Sequence, residues 1–208
     1  MPCPLGLPSP VILASASPRR AALLTQIGLA FQVMPSRLGD EGESLSPDED
    51  PEVAAVRLAV SKAQDVAEQV GAGFVVGADT IVALGRRQFG KPRTAEEGEE
   101  FLMALSGRAH RVATGVAVVD SGSGRVESGC SVTTVRMRAF SREEAAAYVR
   151  SGEPRDKAGA YGIQGKGALL IDAIEGDYFT VVGLPLALLA GLLRRFGVDV
   201  WQTSKPSS

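Results

Sequence analysis

The sequence predicts a mixed α/β (α+β) fold. Three observations carry that expectation. Helix-like and strand-like segments alternate along the chain, and tight turns join two of the strand pairs into antiparallel hairpins. The chain has 208 residues, 45% apolar and 22% charged, enough to bury a core. The hairpins argue against a purely parallel, doubly wound sheet. No repeat or low-complexity linker divides the chain. Residues 10–200 are therefore expected to form a single domain, compact or as two lobes around a cleft, with 1–9 and 201–208 as loose tails.

Pro10 to Ala14 reads as a short buried strand. Ser17 then offers an N-cap and Pro18 a first helical residue, with Leu23, Leu24 and Ile27 at helical spacing and Gly28 as the stop. Phe31 to Met34 is a second strand, and the polar, acidic stretch Ser36 to Asp50 a loop. Asp50-Pro51 repeats the cap-and-proline signal for a helix closing near Gly71. Phe74 to Val76 is a buried strand that leads into GADTIV. Thr94 with Glu97 is a capping box for a helix ending near Leu105. Val112–Val119 and Val126–Arg138 flank the turn SGSG as a hairpin. Ser141 with Glu144 is a second capping box, for a helix to Arg150. Ala168–Ile174 and Tyr178–Val182, around Glu175-Gly176-Asp177, read as another hairpin. Leu184 to Phe196 is the last helix.

Composition narrows the chemistry. A formal net charge of −2 speaks against a general nucleic-acid binder but leaves room for a small anionic ligand. The two cysteines, Cys3 and Cys130, lack metal-type spacing and suggest no disulfide framework, which suits a reducing cytoplasm. MPCPLGLPS has no basic n-region of a signal peptide, and GLPLALLAGLL is too short to span a bilayer. The expectation is a cytoplasmic protein with neither membrane nor nucleic-acid partner. Its one histidine, His110, opens a strand and reads as structural, so aspartate, glutamate and lysine are the working groups. Trp201 is expected to pack.

In SASPRR, Ser15 and Ser17 stand between a strand end and a helix N-terminus, where free N–H groups and the helix dipole favour an anion. Arg19 and Arg20 add planar donors suited to phosphate, although composition alone favours a capped helix with two solvated arginines. The spacing is not a P-loop. In GADT, Asp79 follows an apolar strand beside Thr80, where a carboxylate can bind a hard cation or take a proton from water, or simply make a turn. Lys62 and Lys91, taken alone, are ordinary solvated lysines. Lys157 precedes a run of glycines interleaved with Tyr161 and Gln164. Glycines permit close backbone approach, and the Gln164 amide can read the edge of a base.

Together SASPRR, GADTIV, GKPRTAEE, LSGRAHRVATGVAVV, GEPRDKAGAYGIQGKG and VVGLPL resemble the Maf family of nucleoside triphosphate pyrophosphatases, in order from about Val11 to Phe196. The resemblance implies a cytoplasmic enzyme, often dimeric, that cleaves a nucleoside triphosphate between its α and β phosphates. It implies a mixed twisted sheet with flanking helices and a deep cleft, similar to the inosine triphosphate pyrophosphatases. It assigns Asp79 as proton acceptor, and Arg20, Thr80 and Gln164 match the branch acting on dTTP and UTP. Lys62, Lys91, Lys157 and Arg19 would face the triphosphate. A divalent cation, Mg²⁺ or Mn²⁺, would be held by Asp79 with Asp40 or Glu41; the family usually has a glutamate there. Gln164 would pair with O4 and N3–H of uracil or thymine. Two rivals remain: a pyrophosphatase for modified or other nucleotides, such as 5-methyl-UTP, pseudo-UTP or 7-methyl-GTP, and a non-catalytic nucleotide- or nucleic-acid-binding regulator of division.

Overall fold

One mixed sheet organises the described residues, 10–38 and 49–202, of the computed structural model. Its strands are β1 (Val11–Leu13), β2 (Phe31–Val33), β3 (Phe74–Leu84), β4 (Arg87–Phe89), β5 (Ala109–Asp120), β6 (Val126–Met137) and β7 (Ile171–Glu175). The order is β2-β1-β3-β5-β6-β7, with β4 pairing on β3 as well. β2, β1 and β3 run parallel, and the pairs β3–β5, β5–β6 and β6–β7 are antiparallel. The helices are α1 (Pro18–Gln26), α2 (Pro51–Ala67), α3 (Ala95–Leu105), α4 (Arg142–Arg150), α5 (Tyr178–Val182) and α6 (Leu186–Arg194). The mixed sheet with flanking helices agrees with the sequence expectation.

β3 is the key strand because it outruns its parallel neighbour. β1 pairs only with Phe74 to Val76, and β4 only with Val82 to Leu84. Between them, residues 77–81 pair with β5 alone, on the other side. That gap opens the middle of the sheet.

Alternate residues of β3 serve the two faces. On one face, Val75 and Ile81 pack with Ala113, Ala117 and Val119 under α2. Gly77 and Gly115 let this helix lie directly on the strands. A Cβ at Gly77 would stand 2.2 Å from the Ala59 carbonyl oxygen, and one at Gly115 2.3 Å from the Ala55 carbonyl. On the other face two clusters divide the sheet lengthwise. Val76, Ala78, Val116 and Val118 pack with α1 and α6. Val82, Val112, Val135 and Met137 pack with α3 and α4.

The helix starts follow local chemistry. Asp50 caps α2 by accepting from the Glu52 N–H, and Ser141 with Glu144 forms the complete capping box of α4. The other two predicted caps differ. Thr94 accepts from Glu97 N–H, but the Glu97 carboxylate turns to the Arg93 main chain and guanidinium, so the box is half formed. Ser17 holds the N-cap position of α1 without a side-chain cap; its own N–H instead donates to Ser15 Oγ at 3.2 Å.

Three expectations fail. The stretch 168–182 is not a hairpin. Residues 165–170 form a 3-10 turn, β7 pairs with β6, and Tyr178–Val182 is helical. Asp177 explains the last: its carboxylate accepts from Phe179 and Thr180 N–H, and Gly183 at φ 115° ends the turn. Trp201 does not pack, being 84% exposed. Asp79 lies in mid-strand rather than at a strand end, because β3 continues to Leu84. The three-residue β4, between two glycines, was not anticipated.

Candidate active site

At the carboxyl ends of the parallel strands, the usual place for a ligand in such sheets, lies a cleft of about 380 Å³. Ser15, Ser17, Arg19, Arg20, Lys62, Asp79, Thr80, Lys91, Lys157 and Gln164 all line it. These predicted residues are drawn from five stretches of the chain, 15–20, 62, 79–80, 91 and 157–164. Five of the lining side chains are cationic, against two carboxylates, Asp79 and Asp156. Such a wall suits a polyanion.

Asp79 faces α2, buried to 5% exposure. Lys62, within the turn of α2 whose Ala59 and Ala63 pack on Gly77, reaches it with Nζ 2.5 Å from Oδ1. This is a buried ion pair at the cleft wall, and the reading of Lys62 as a solvated helix lysine does not hold.

Thr80, the next residue, faces the opposite side of the sheet. Arg20 meets it there. Arg20 Nε donates to the Gly183 carbonyl at 2.8 Å, Nη1 to Ser15 Oγ at 3.1 Å and Nη2 to Thr80 Oγ1 at 3.4 Å. Thr80 Oγ1 lies 3.0 Å from Thr114 Oγ1, which donates to the Thr180 carbonyl at 2.7 Å. This row of hydroxyls crosses the sheet at the boundary between the two apolar clusters. Thr114 and Thr180 are fully buried, and nothing in the sequence marked them.

Arg19 does not lie free for a phosphate. Its Nη1 is 2.6 Å from Asp156 Oδ2, and Lys157 Nζ is 2.7 Å from Oδ1 of the same carboxylate. Burial works against the charge on Asp156, but the bonds from Lys157 and Arg19 outweigh it and hold its pKa at about 2. Asp156 thereby ties α1 to the glycine-rich stretch across the cleft. The glycines there serve the stretch's own packing: a Cβ at Gly167 would meet the Gly162 carbonyl oxygen at 2.1 Å. Gln164 stands exposed at the rim. Behind it, Tyr161 is anchored by His110, whose Nε2 is 2.7 Å from the phenol oxygen. Burial pushes His110 down to about 4, the Arg108 main chain opposing, which agrees with a structural role.

Asp40 and Glu41 lie outside the described residues. Among the described residues no group of three His, Cys, Asp or Glu side chains gathers as a metal site. The donor set still fits a hard cation of the kind that takes one or two carboxylates and completes its shell with substrate phosphates, since Asp79 presents oxygen at the cleft. No helix among the described residues is long and apolar enough to cross a membrane.

The fold and cleft define a mixed α/β protein furnished for a polyphosphate ligand. The chain belongs to the Maf-like protein family, whose model matches residues 10–196. It is 48% identical over 193 residues to a dTTP/UTP pyrophosphatase of Moorella thermoacetica, covering 93% of this chain and 98% of the relative. A dTTP/UTP pyrophosphatase of Desulforamulus reducens is 44% identical, covering 92% and 98%. One of Methanosarcina mazei is 46% identical, covering 93% and 98%. A solved dITP/XTP pyrophosphatase from Mycobacterium abscessus matches at a TM-score of 0.40 and 17% identity, over 89% of this chain and 94% of that one.

Proposed function

We propose that this protein hydrolyses dTTP and UTP between the α and β phosphates, giving the monophosphate and pyrophosphate. One observation supports the reading above others. A buried carboxylate, a cationic wall and the polar corner of Arg20, Ser15 and Thr80 share one cleft, in a chain close to relatives that bear that name.

Asp79 takes the proton of a water that attacks the α-phosphorus. The α–β bridging oxygen leaves with pyrophosphate. Lys62 holds Oδ1 of Asp79, which fixes the carboxylate and leaves its other oxygen for the water. Lys91, Lys157 and Arg19 face the charge of the triphosphate, Arg19 and Lys157 exchanging Asp156 for phosphate as they do so. Catalysis is then mostly positioning and charge stabilisation. Asp79, with Asp40 or Glu41, would hold a divalent cation, Mg²⁺ or Mn²⁺, which would neutralise phosphate charge. Ser15 holds the Arg20 guanidinium in place, and Ser17 presents the first N–H groups of α1. Arg20, Thr80 and Gln164 face the base. A cytoplasmic location and a homodimer belong to the same proposal.

The test is a product assay over the common nucleoside triphosphates with either cation. Pyrophosphate from dTTP and UTP is the expected result. Pyrophosphate chiefly from purine nucleotides would discard the base assignment, and orthophosphate in place of pyrophosphate would discard the bond.

A further inference from the structure

Gln164 alone cannot tell uracil from cytosine. Uracil and thymine offer a carbonyl beside N3–H, whereas cytosine offers an amine beside a bare N3. A side-chain amide matches either by turning over, since it carries both a donor and an acceptor. Gln164 stands at the exposed rim of the cleft. Discrimination needs a group whose polarity is fixed.

The hydroxyl row provides one. The Thr180 carbonyl can only accept, so the Thr114 hydroxyl hydrogen is committed to it, at 2.7 Å. Thr114 Oγ1 can then only accept from Thr80, at 3.0 Å, so the Thr80 hydrogen is committed as well. Arg20 only donates, and its Nη2 takes one lone pair of Thr80 Oγ1. The direction of the row is thus set by a main-chain carbonyl: Arg20 to Thr80 to Thr114 to Thr180. Thr114 has 0% exposure, so no water offers an alternative.

Resting on the dTTP/UTP reading, we propose that Thr114 is a positioning residue for base selection: by holding the Thr80 hydrogen away from the cleft, it makes Thr80 an acceptor that receives N3–H of uracil or thymine. This moves N3–H from Gln164, to which the sequence gives it, to Thr80, and leaves Gln164 and Arg20 for the base carbonyls. In the pose set by the phosphates, N3 of cytosine would meet a lone pair of Thr80 with its own. The mismatch is a buried one and costly.

Thr114→Val keeps the shape and removes the hydroxyl. The Thr80 hydrogen is then released, can turn to the cleft and can donate to N3 of cytosine. The measurement is kcat/KM for dTTP and for dCTP in the wild type, Thr114→Val and Thr114→Ser. The expected result is a dTTP/dCTP ratio that falls about tenfold or more in Thr114→Val and is kept in Thr114→Ser. General damage to the fold lowers both substrates together and leaves the ratio unmoved. A ratio unchanged in a folded Thr114→Val protein overturns the role of Thr114 while the dTTP/UTP reading stands. A wild type that cleaves neither dTTP nor UTP overturns that reading and this inference with it. A second measurement needs no variant: the wild type should reject dTTP methylated at N3, and equal turnover of it would overturn the assignment of N3–H to Thr80.

Discussion

Asp79 carries the sharpest prediction at the level of one side chain. Asp79→Asn keeps the shape and removes the proposed proton acceptor, so kcat should fall roughly 10²–10⁴-fold, measured as pyrophosphate release. Near-wild-type turnover in the folded variant would take Asp79 out of that role. His110 gives a prediction in stability. Its pKa lies at about 4 in the folded chain because burial disfavours the charge, against 6.5 unperturbed. The unfolded state therefore binds the extra proton first. The contribution is intact above pH 6.5 and is lost as pH falls towards 4, by about 3 kcal/mol in all. Chemical denaturation across that window should show stability falling with pH in the wild type, and a flatter profile in His110→Phe. Residues at this scale were unevenly legible. SASPRR and GADT stood out only in company with the other motifs, since alone each reads also as a capped helix or a turn. Lys62 did not, since a lysine on a helix has no sequence mark until the helix is laid on Asp79. Thr114 and Thr180 were invisible, because a threonine in a strand or apolar run reads as β-branched filler.

At the scale of elements, α2 depends on two missing side chains. Gly77 and Gly115 admit its backbone to the sheet, and Lys62 reaches Asp79 only from that height. Gly115→Ala places a methyl 2.3 Å from the Ala55 carbonyl, a clash with main chain that no rotamer relieves. It should cost about 3 kcal/mol, lowering Tm by about 6–12 °C in a thermal melt. Turnover should fall as well, as the helix carries Lys62 away. Most elements could be read from period and caps, including the long hairpin of β5 and β6. The failure at 178–182 has a physical cause. Tyr-Phe-Thr-Val-Val is a strand by propensity, yet Asp177 satisfies two main-chain N–H groups at its start and burial against the sheet does the rest. Local preference is a weak guide for five residues that sit between two packed clusters.

At the scale of the molecule, the two apolar clusters on one face look like separate cores, one under α1 and α6 and the other under α3 and α4. They are not independent, because β3 and β5 run through both: Val76 and Val82 belong to one strand, Val118 and Val112 to the other. We therefore expect residues 10–200 to unfold in a single transition, with calorimetric and van't Hoff enthalpies equal. Two resolved transitions would divide the protein at the hydroxyl row. That row crosses strands instead of separating segments, so it leaves no mark along the sequence that could be read as a boundary.

The gap beside residues 77–81 of β3 has one more consequence. No strand covers that edge, and two successive residues, Asp79 and Thr80, line the cleft from opposite sides of the sheet. Asp79 belongs to a compartment walled by α2, and Thr80 to another walled by α1 and α5. On the proposed reading the strand is a partition, with the proton acceptor on one side and base choice on the other. Substitutions that retune the base can accumulate behind Thr80 without touching the packing around Asp79. The partition tolerates exchange on either side, but not a shift along the strand: inserting one residue into β3 would send the carboxylate to the base and the hydroxyl to the phosphates.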